Sequence, residues 1–130
     1  MKIEQFKPMD HYDTIKQWWQ EHNHDIVPVS DLSPLGLVVK SDEEYICAAW
    51  FLKTDSSLCI LELLVGNPKA KKRDIIKGID LLLEYFTSLA RILFFNKILI
   101  MAKLPGLIKH LKKRDFDVEI AGVTNLIKGV

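Results

Sequence analysis

Along this chain the spacing of hydrophobic residues changes from a helical period to a period of two and back again. Between residues 12 and 19, a tyrosine, an isoleucine and two tryptophans recur at helical spacing, which predicts an amphipathic helix over residues 11–22. Asp10 precedes this stripe and is expected to be the helix N-cap. Because Trp18 and Trp19 are adjacent, we expect one of them to face the core and the other to face outward.

From residue 35 the pattern alternates and predicts an antiparallel meander of three strands. The helical period returns over residues 70–94 and is followed by an apolar strand, a cationic helix opened by Pro105, and a hairpin. The predicted strands are residues 3–6, 37–39, 45–52, 58–65, 97–103, 116–120 and 123–127. The crossover between the fourth and fifth strands should make them parallel. We therefore expect an α/β mixed sheet in one domain over residues 1–130, ordered strand, helix, meander, helix, strand, helix, hairpin.

The composition is typical of a globular domain, with 48% hydrophobic and 27% charged residues in a chain of 130. No apolar run approaches the length of a membrane span, and no apolar signal segment follows Met1, so we expect a cytoplasmic protein without a membrane partner. Cys47 and Cys59 lie within predicted apolar strands. We interpret them as buried thiols rather than as a disulfide or a metal pair.

Charge is distributed unevenly, although the net charge is only +1. Residues 1–68 hold five Lys/Arg against eleven Asp/Glu, whereas residues 69–114 hold twelve against three. The cationic half suits a polyanionic ligand or a nucleic acid, although solvated lysine-rich helix faces produce the same count. Nucleic-acid binding is the less favoured interpretation, because no aromatic residues are interleaved with the cations and no helix-turn-helix or zinc pattern occurs.

A predicted strand that ends at Pro68 leads directly into a helix that begins with Lys71, Lys72 and Arg73. A helix N-terminus presents free backbone N–H groups and the positive end of the helix dipole, so anionic groups bind there. No glycine lies between Pro68 and Gly78, so the backbone is not expected to wrap a phosphate tightly. A second cationic group is expected to contribute to the same surface: Lys109, Lys112, Lys113 and Arg114.

This order of elements resembles the GNAT superfamily of acyl-CoA-dependent N-acetyltransferases over almost the whole chain. Residues 61–68, Leu-Glu-Leu-Leu-Val-Gly-Asn-Pro, resemble the family's fourth strand with its terminal proline. Residues 98–102 resemble its fifth strand, and residues 111–116 resemble its Tyr-x-x-x-Gly-Phe ending. The short chain, the Asn-Pro junction and residues 123–128 resemble small GNAT-like proteins encoded by bacteriophages. The resemblance implies transfer of an acetyl group from acetyl-CoA to an amine.

The resemblance also assigns residues to a coenzyme A site. The family's pyrophosphate loop, Gln/Arg-x-x-Gly-x-Gly/Ala, aligns with residues 71–76, where Asp74 and Ile76 occupy its two glycine positions. A backbone N–H near Leu64 would hold the thioester carbonyl. The implied cofactor-binding residues are Leu64, Val65, Lys71, Lys72, Arg73, Asp74, Ile75 and Ile76.

Two side chains are candidates for proton transfer in this reaction. Glu62 lies where several family members carry the general base that deprotonates the amine, and partial burial on a strand would raise its pKa. By strand alternation we expect Glu62 to share a face of the sheet with Ile60 and Leu64. The alternative interpretation is a carboxylate at the sheet surface or in an ion pair. The family's tyrosine, which protonates the departing thiolate, falls on Leu111, and His110 replaces it if the alignment slips by one residue.

The missing glycines and tyrosine leave a second hypothesis open, a GNAT scaffold that binds another protein or forms an oligomer without catalysis. Trp18, Trp19, Trp50 and Tyr45 either line an acceptor pocket or belong to the core. Loop residues 23–34 are expected to set acceptor specificity, and proteins are among the amine acceptors to consider.

His22 and His24 lie near two carboxylates at the end of the first predicted helix. We interpret them as a solvated helix end, and no metal site is predicted because no third ligand has suitable spacing. The strand predicted over residues 123–127 is a candidate for pairing with a second copy at a sheet edge, which would give a homodimer.

Overall fold

The computed structural model describes all of residues 1–130. In chain order the elements are β1 (Lys2–Gln5), α1 (Pro8–Glu21), a short 3-10 helix (Val29–Asp31), β2 (Gly36–Ser41), β3 (Glu44–Leu52), β4 (Leu58–Gly66), α2 (Lys72–Ile92), β5 (Lys97–Ile100) and α3 (Pro105–Lys112). None of the helices combines the length and apolar character that passage through a membrane requires.

The five strands form one sheet in the order β1-β2-β3-β4-β5. The first four are antiparallel neighbours, and β5 lies parallel to β4. Short turns join β2, β3 and β4, as the alternating pattern predicts, whereas α1 and the loop after it connect β1 to β2. The long helix α2 makes the crossover that a parallel pair requires. These observations confirm the α/β mixed sheet.

Helices cover both faces of the sheet and enclose two apolar clusters. The cluster beneath α2 and α3 has twelve buried residues, including Phe51 and Phe86. The cluster beneath α1 has eight, including Trp19 and Trp50. Burial on both faces explains why six consecutive positions of β3 are buried. Cys47 and Cys59 are buried free thiols, as expected, and burial raises the pKa of Cys47 to about 12.

The first helix begins earlier than its apolar stripe suggests. Pro8 lies in its first turn, where the missing proline N–H has no helical acceptor to lose, and Lys7 is the N-cap residue. Asp10 lies inside the first turn, where its negative charge interacts favourably with the helix dipole. Its assignment as the N-cap was therefore wrong.

The expectation that one of the adjacent tryptophans faces outward was also wrong. Trp18 and Trp19 are 3% and 2% exposed. Both are enclosed because the loop that follows α1 returns over the same cluster, where Val27 and Leu32 pack. The hydroxyl group of Tyr12 fixes this loop by donating a hydrogen bond of 2.9 Å to the carbonyl oxygen of Val27.

The last part of the chain departs most from the predicted order. β5 ends at Ile100 rather than at residue 103, and residues 113–130 form neither helix nor strand. The hairpin predicted over residues 116–120 and 123–127 was therefore wrong. Alternation of apolar and polar residues favours a strand locally, but a strand also needs a neighbour for its backbone hydrogen bonds, and residues 116–127 pair with no strand of the sheet.

Candidate functional site

The parallel strands β4 and β5 lie side by side over only part of β4. Their register begins with Leu58 opposite Lys97 and ends with Leu61 opposite Ile100. β4 continues to Gly66, so its last residues have no neighbour on that side. The sheet is therefore open at the carboxyl ends of two parallel strands, which is the usual position of a ligand in open α/β sheets.

A β-bulge distorts β4 at the point where β5 ends. Trp50 of β3 pairs with Glu62 of β4. Ala48, two residues before Trp50, pairs with Val65, which is three residues after Glu62. β4 therefore has one more residue than β3 between these two pairs. Leu63 has a φ of 57°, a left-handed conformation that is uncommon for leucine. Leu63 and Leu64 consequently have no register partner on either side.

The bulge also changes which face of the sheet each side chain reaches. Before the bulge, Leu61 packs in the cluster beneath α2. After the bulge, Leu64 packs in that same cluster, and Val65 packs in the cluster beneath α1. Strict alternation would place Leu64 on the same face as Glu62, and that sequence-based expectation was wrong. Glu62 shares the α1 face with Leu63 and with its cross-strand partner Trp50.

Glu62 supplies the carboxylate of this open region. Its side chain is half-buried, and burial raises its pKa above the usual glutamate value. The structure gives it no hydrogen bond or ion pair, so the ion-pair interpretation finds no partner in the chain. Trp50, directly across the strand, is fully buried and its indole N–H has no acceptor. A half-exposed carboxylate with a raised pKa and free lone pairs is suited to accept a proton near neutral pH.

The turn between β4 and α2 is held from several sides. The side-chain amide of Asn67 donates to the carbonyl oxygen of Tyr45 at 2.9 Å, and its oxygen accepts from the backbone N–H of Lys69 at 2.9 Å. Gly66 lies against the first turn of α2, since a Cβ built there would be 3.0 Å from Cγ2 of Ile75. Gly66 has no predicted role, although a glycine at the end of an apolar strand is a signal of close backbone approach.

The first turn of α2 has unsatisfied backbone donors. Lys71 is the N-cap residue, and no side chain caps the helix. The first N–H groups with an acceptor inside the chain are those of Asp74 and Ile75, which both donate to the carbonyl oxygen of Lys71. The N–H groups of Lys71, Lys72 and Arg73 therefore remain free, and all three side chains are exposed. Free donors and cations at one helix start form an anion-binding arrangement.

The side chains that replace the two glycines of the family's loop remain accessible. Asp74 is half-buried, and Ile76 is 36% exposed. Leu104, which precedes α3, is 53% exposed. Neither Ile76 nor Leu104 is buried in a way that would fill the opening between β4 and β5.

The end of α3 is tied to α2 through one carboxylate. Asp80 accepts hydrogen bonds from Arg114, at 2.9 Å from Nε and 2.7 Å from Nη2, and lies 2.7 Å from Nε2 of His110. These partners, Arg114 first, hold the pKa of Asp80 below its usual value. Leu111 is buried in the cluster beneath α2. His110 therefore lies between the two helices, and its catalytic role stays a prediction.

Most of the proposed acceptor pocket is core. Trp18, Trp19 and Trp50 are all buried, which confirms the core interpretation for them, whereas Tyr45 is half-buried with its ring 5.1 Å from that of His11. His22 is not a solvated helix end, because its Nε2 atom lies 2.9 Å from the carbonyl oxygen of Gly66. No cluster of three or more His, Cys, Asp or Glu side chains has a geometry suited to a metal ion.

No protein-family model matches the chain, and no curated protein matches its sequence. Solved structures do match its fold. A probable acetyltransferase is 18% identical, with a TM-score of 0.65 over 100% of both chains. The acetyltransferase SP0256 of Streptococcus pneumoniae TIGR4, a GNAT family protein, is 10% identical, with a TM-score of 0.62 over 98% of this chain and 97% of its own. Rv2747 of Mycobacterium tuberculosis, solved in complex with CoA and NLQ, is 14% identical, with a TM-score of 0.69 over 95% of this chain and 76% of its own. The chain therefore has the GNAT fold, which confirms the resemblance at the level of the fold.

Proposed function

We propose that this chain, which has the GNAT fold, binds acetyl-CoA in the opening between β4 and β5 and transfers the acetyl group to an amine. The observation that carries the proposal is the position of the anion-binding start of α2 directly after the strand that bears the bulge and Glu62. One continuous stretch of chain thus supplies a carboxylate, an irregular strand backbone and free N–H donors.

The start of α2 would hold the pyrophosphate. Its free N–H groups and the side chains of Lys71, Lys72 and Arg73 offer hydrogen bonds and positive charge. The residues at the family's two glycine positions weaken pyrophosphate binding. Asp74 places a negative charge near the phosphates, and Ile76 places a bulky side chain there. We expect binding that depends more on the cations than on close backbone wrapping.

Glu62 would act as the general base. It removes a proton from the ammonium group of the acceptor, and the resulting amine attacks the thioester carbonyl. A backbone N–H near Leu64, in the bulge, would stabilise the negative oxygen that forms. When the C–S bond breaks, the nitrogen loses a second proton and the leaving CoA thiolate gains one. The products are therefore an amide and the free CoA thiol.

His110 is the remaining candidate for protonating the thiolate, because Leu111 is buried and has no proton to donate. With Nε2 donating to Asp80, the neutral ring has no proton on Nδ1, so only the imidazolium form could deliver one from that atom. A catalytic His110 would therefore have to act in its protonated form.

Binding and catalysis are tested separately. We expect isothermal titration with CoA to show saturable heat, and thermal unfolding to shift upward with ligand. Replacement of Lys72 and Arg73 together by glutamate should raise the dissociation constant at least about tenfold. The exposed Lys53→Glu variant is the matched control and should bind normally. Absence of heat and of a thermal shift at millimolar CoA would contradict the proposal.

The second candidate function is a GNAT scaffold that does not catalyse transfer. Two residues favour the scaffold. Asp74 at the start of α2 would repel the phosphates of CoA through its negative charge. The buried Leu111 occupies the position of the family's proton-donating tyrosine and cannot donate a proton. Thiol release from acetyl-CoA with spermidine, L-lysine and a lysine-containing peptide as amine probes separates the two. CoA binding without thiol release above that of the Glu62→Gln variant would favour the scaffold.

A further inference from the structure

Helix α1 ends in a turn that holds the backbone of His22 in place. His22 is the C-cap residue, and Asn23 follows it in the left-handed conformation, with a φ of 57°. The N–H of His24 donates to the carbonyl oxygen of Trp19 at 2.8 Å, and the N–H of Asn23 donates to that of Gln20 at 3.1 Å. These hydrogen bonds close a Schellman turn, in which asparagine tolerates the positive φ. The side chain of His22 is therefore attached to a fixed helix end.

The imidazole of His22 donates a hydrogen bond to the end of β4. Its Nε2 atom lies 2.9 Å from the carbonyl oxygen of Gly66, and the ring is half-buried. A carbonyl oxygen only accepts, so the Nε2 atom carries the proton. The next residue, Asn67, donates its N–H to the carbonyl oxygen of Ile46 at 2.8 Å. The peptide group between residues 66 and 67 is thus held on both sides, by α1 through its C=O and by β3 through its N–H.

This peptide group needs such support because residue 66 is a glycine. A Cβ at position 66 would be 3.0 Å from Cγ2 of Ile75, so the close packing of α2 favours glycine there. Glycine has more backbone freedom than any other residue. The hydrogen bond from His22 restricts that freedom at the point where the chain leaves the sheet.

Between this peptide group and α2 the chain follows a turn with its own hydrogen bonds. Oδ1 of Asn67 accepts from the backbone N–H of Lys69 at 2.9 Å, and the carbonyl oxygen of Asn67 accepts from the N–H of Ala70 at 3.1 Å. Lys71, the N-cap residue of α2, follows directly. Glu21 adds a weaker contact from the end of α1, 3.6 Å from the exposed Nζ of Lys69. The orientation of the peptide group therefore affects where the free N–H groups of α2 point.

We propose that His22 is a positioning residue for the anion-binding start of α2. This role rests on the proposed function, in which that helix start holds the pyrophosphate of CoA. His22 acts through Gly66, rather than by contact with the ligand, and keeps the free N–H groups of residues 71–73 in the orientation that binds. Without its hydrogen bond only a fraction of the molecules would hold that orientation, and the apparent dissociation constant would rise by the inverse of this fraction.

Substitutions of His22 separate its hydrogen bond from the bulk of its ring. His22→Ala removes both, His22→Phe keeps a ring without an N–H donor, and His22→Gln keeps an N–H donor at about the same reach. By isothermal titration, His22→Ala and His22→Phe should bind CoA about three- to tenfold more weakly than the wild type, and His22→Gln should bind within about twofold of it. Gln20→Ala is the matched control, since Gln20 is exposed in the last turn of the same helix and its side chain makes no hydrogen bond.

Enzyme kinetics give a second readout. With an excess of amine, the KM for acetyl-CoA should rise in His22→Ala by a factor similar to that of the dissociation constant, while kcat stays within about twofold because Glu62 is unchanged. Lower thermal stability with unchanged CoA affinity, measured where every variant is folded, would show a structural role only and would overturn the proposal. So would binding by His22→Gln as weak as that by His22→Ala.

The backbone amide signals of Lys71, Lys72 and Arg73 separate this role from the proposed function. They are followed by nuclear magnetic resonance during titration with inorganic pyrophosphate. A wild-type chain that does not bind CoA would contradict the proposed function. The positioning role would still be supported if pyrophosphate bound at these amides less tightly in His22→Ala and as in the wild type in His22→Gln. Wild-type amide signals that respond to neither ligand would overturn both.

Discussion

The Nε2 atom of His22 lies 2.9 Å from the carbonyl oxygen of Gly66, which joins the C-cap of α1 to the last residue of β4. Gly66 in turn lies against Ile75 in the first turn of α2. The helix on one face of the sheet is therefore connected, through one strand end, to the anion-binding helix start on the other face.

Replacement of His22 by alanine should lower the free energy of unfolding by about 1 kcal/mol, because the carbonyl oxygen of Gly66 loses its side-chain donor. Urea unfolding followed by tryptophan fluorescence measures the change. His24→Ala is the control, since the side chain of His24 is exposed and makes no hydrogen bond. Equal stability of the two variants would show that the contact adds nothing to the fold.

Replacement of Gly78 by alanine should destabilise the protein, although alanine favours helices by about 1 kcal/mol over glycine. A Cβ at Gly78 would be 2.8 Å from Sγ of Cys47 and 3.2 Å from Cγ2 of Ile46, so α2 would have to move off the sheet. We expect a net loss of about 1–3 kcal/mol in unfolding free energy. Gly106→Ala, in α3, meets no atom within 4 Å and should be neutral or stabilising. A stabilised Gly78→Ala would contradict the close packing.

Replacement of Glu62 by glutamine should reduce the rate of acetyl transfer by about 10²–10⁴-fold if the carboxylate is the general base. CoA affinity should change little, because the proposed phosphate site is at the start of α2 and not at Glu62. The ratio of kcat values, measured by thiol release with an excess of acceptor, tests this. A variant with the wild-type rate would remove Glu62 from the mechanism.

The same variant should be more stable than the wild type at neutral pH. Burial raises the pKa of Glu62 in the fold, so the native state holds this proton more tightly than the unfolded state does. The contribution of Glu62 to stability is therefore greatest below the unfolded pKa of about 4.3 and decreases as the pH rises through the folded pKa. Glu62→Gln removes this decrease. Denaturation midpoints at pH 4 and pH 7.5 should converge at the lower pH and diverge at the higher one.

Replacement of Asp80 by asparagine should lower stability by about 1 kcal/mol at pH 7, after allowance for solvent screening of a partly exposed pair. The pKa of Asp80 is lowered in the fold, so its contribution is present above the unfolded pKa of about 3.9 and is lost as the pH falls through the folded value. Thermal unfolding across this range should show the variant approaching the wild type in acid. Asp13→Asn, at an exposed position of α1 where the side chain makes no hydrogen bond or ion pair, is the control and should be about as stable as the wild type at pH 7.

Local signals predicted the elements around the site but not its finer geometry. The junction between β4 and α2 was predicted correctly from the apolar strand that ends at Pro68 and the cations that follow it. The prediction was possible because a buried strand and an exposed helix start differ in composition. The bulge at Leu63 was missed, since a leucine at positive φ has no sequence signature and is held by pairing with β3. The face assigned to Leu64 was wrong for the same reason.

The remaining wrong predictions concern residues whose structure depends on contacts with other parts of the chain. Trp18 and Trp19 are both buried because the loop that follows α1 packs back over the same cluster, which helical spacing alone does not reveal. The alternation in residues 116–120 indicates a local preference for extended structure, but a strand forms only where the segment pairs with a neighbouring strand, and these residues pair with none.

The pairing of Leu58 with Lys97 joins residues 39 positions apart, whereas the β2–β4 meander is closed by short turns, such as the one that pairs Ser41 with Glu44. Closing the longer separation has a higher entropic cost, so the meander should form before β5 docks. The opening beside Glu62 would then be completed late in folding. Amide hydrogen exchange should accordingly be slowest in β3 and faster in β5, which makes the candidate acyl-transfer site the part of the sheet that opens first under mild denaturing conditions.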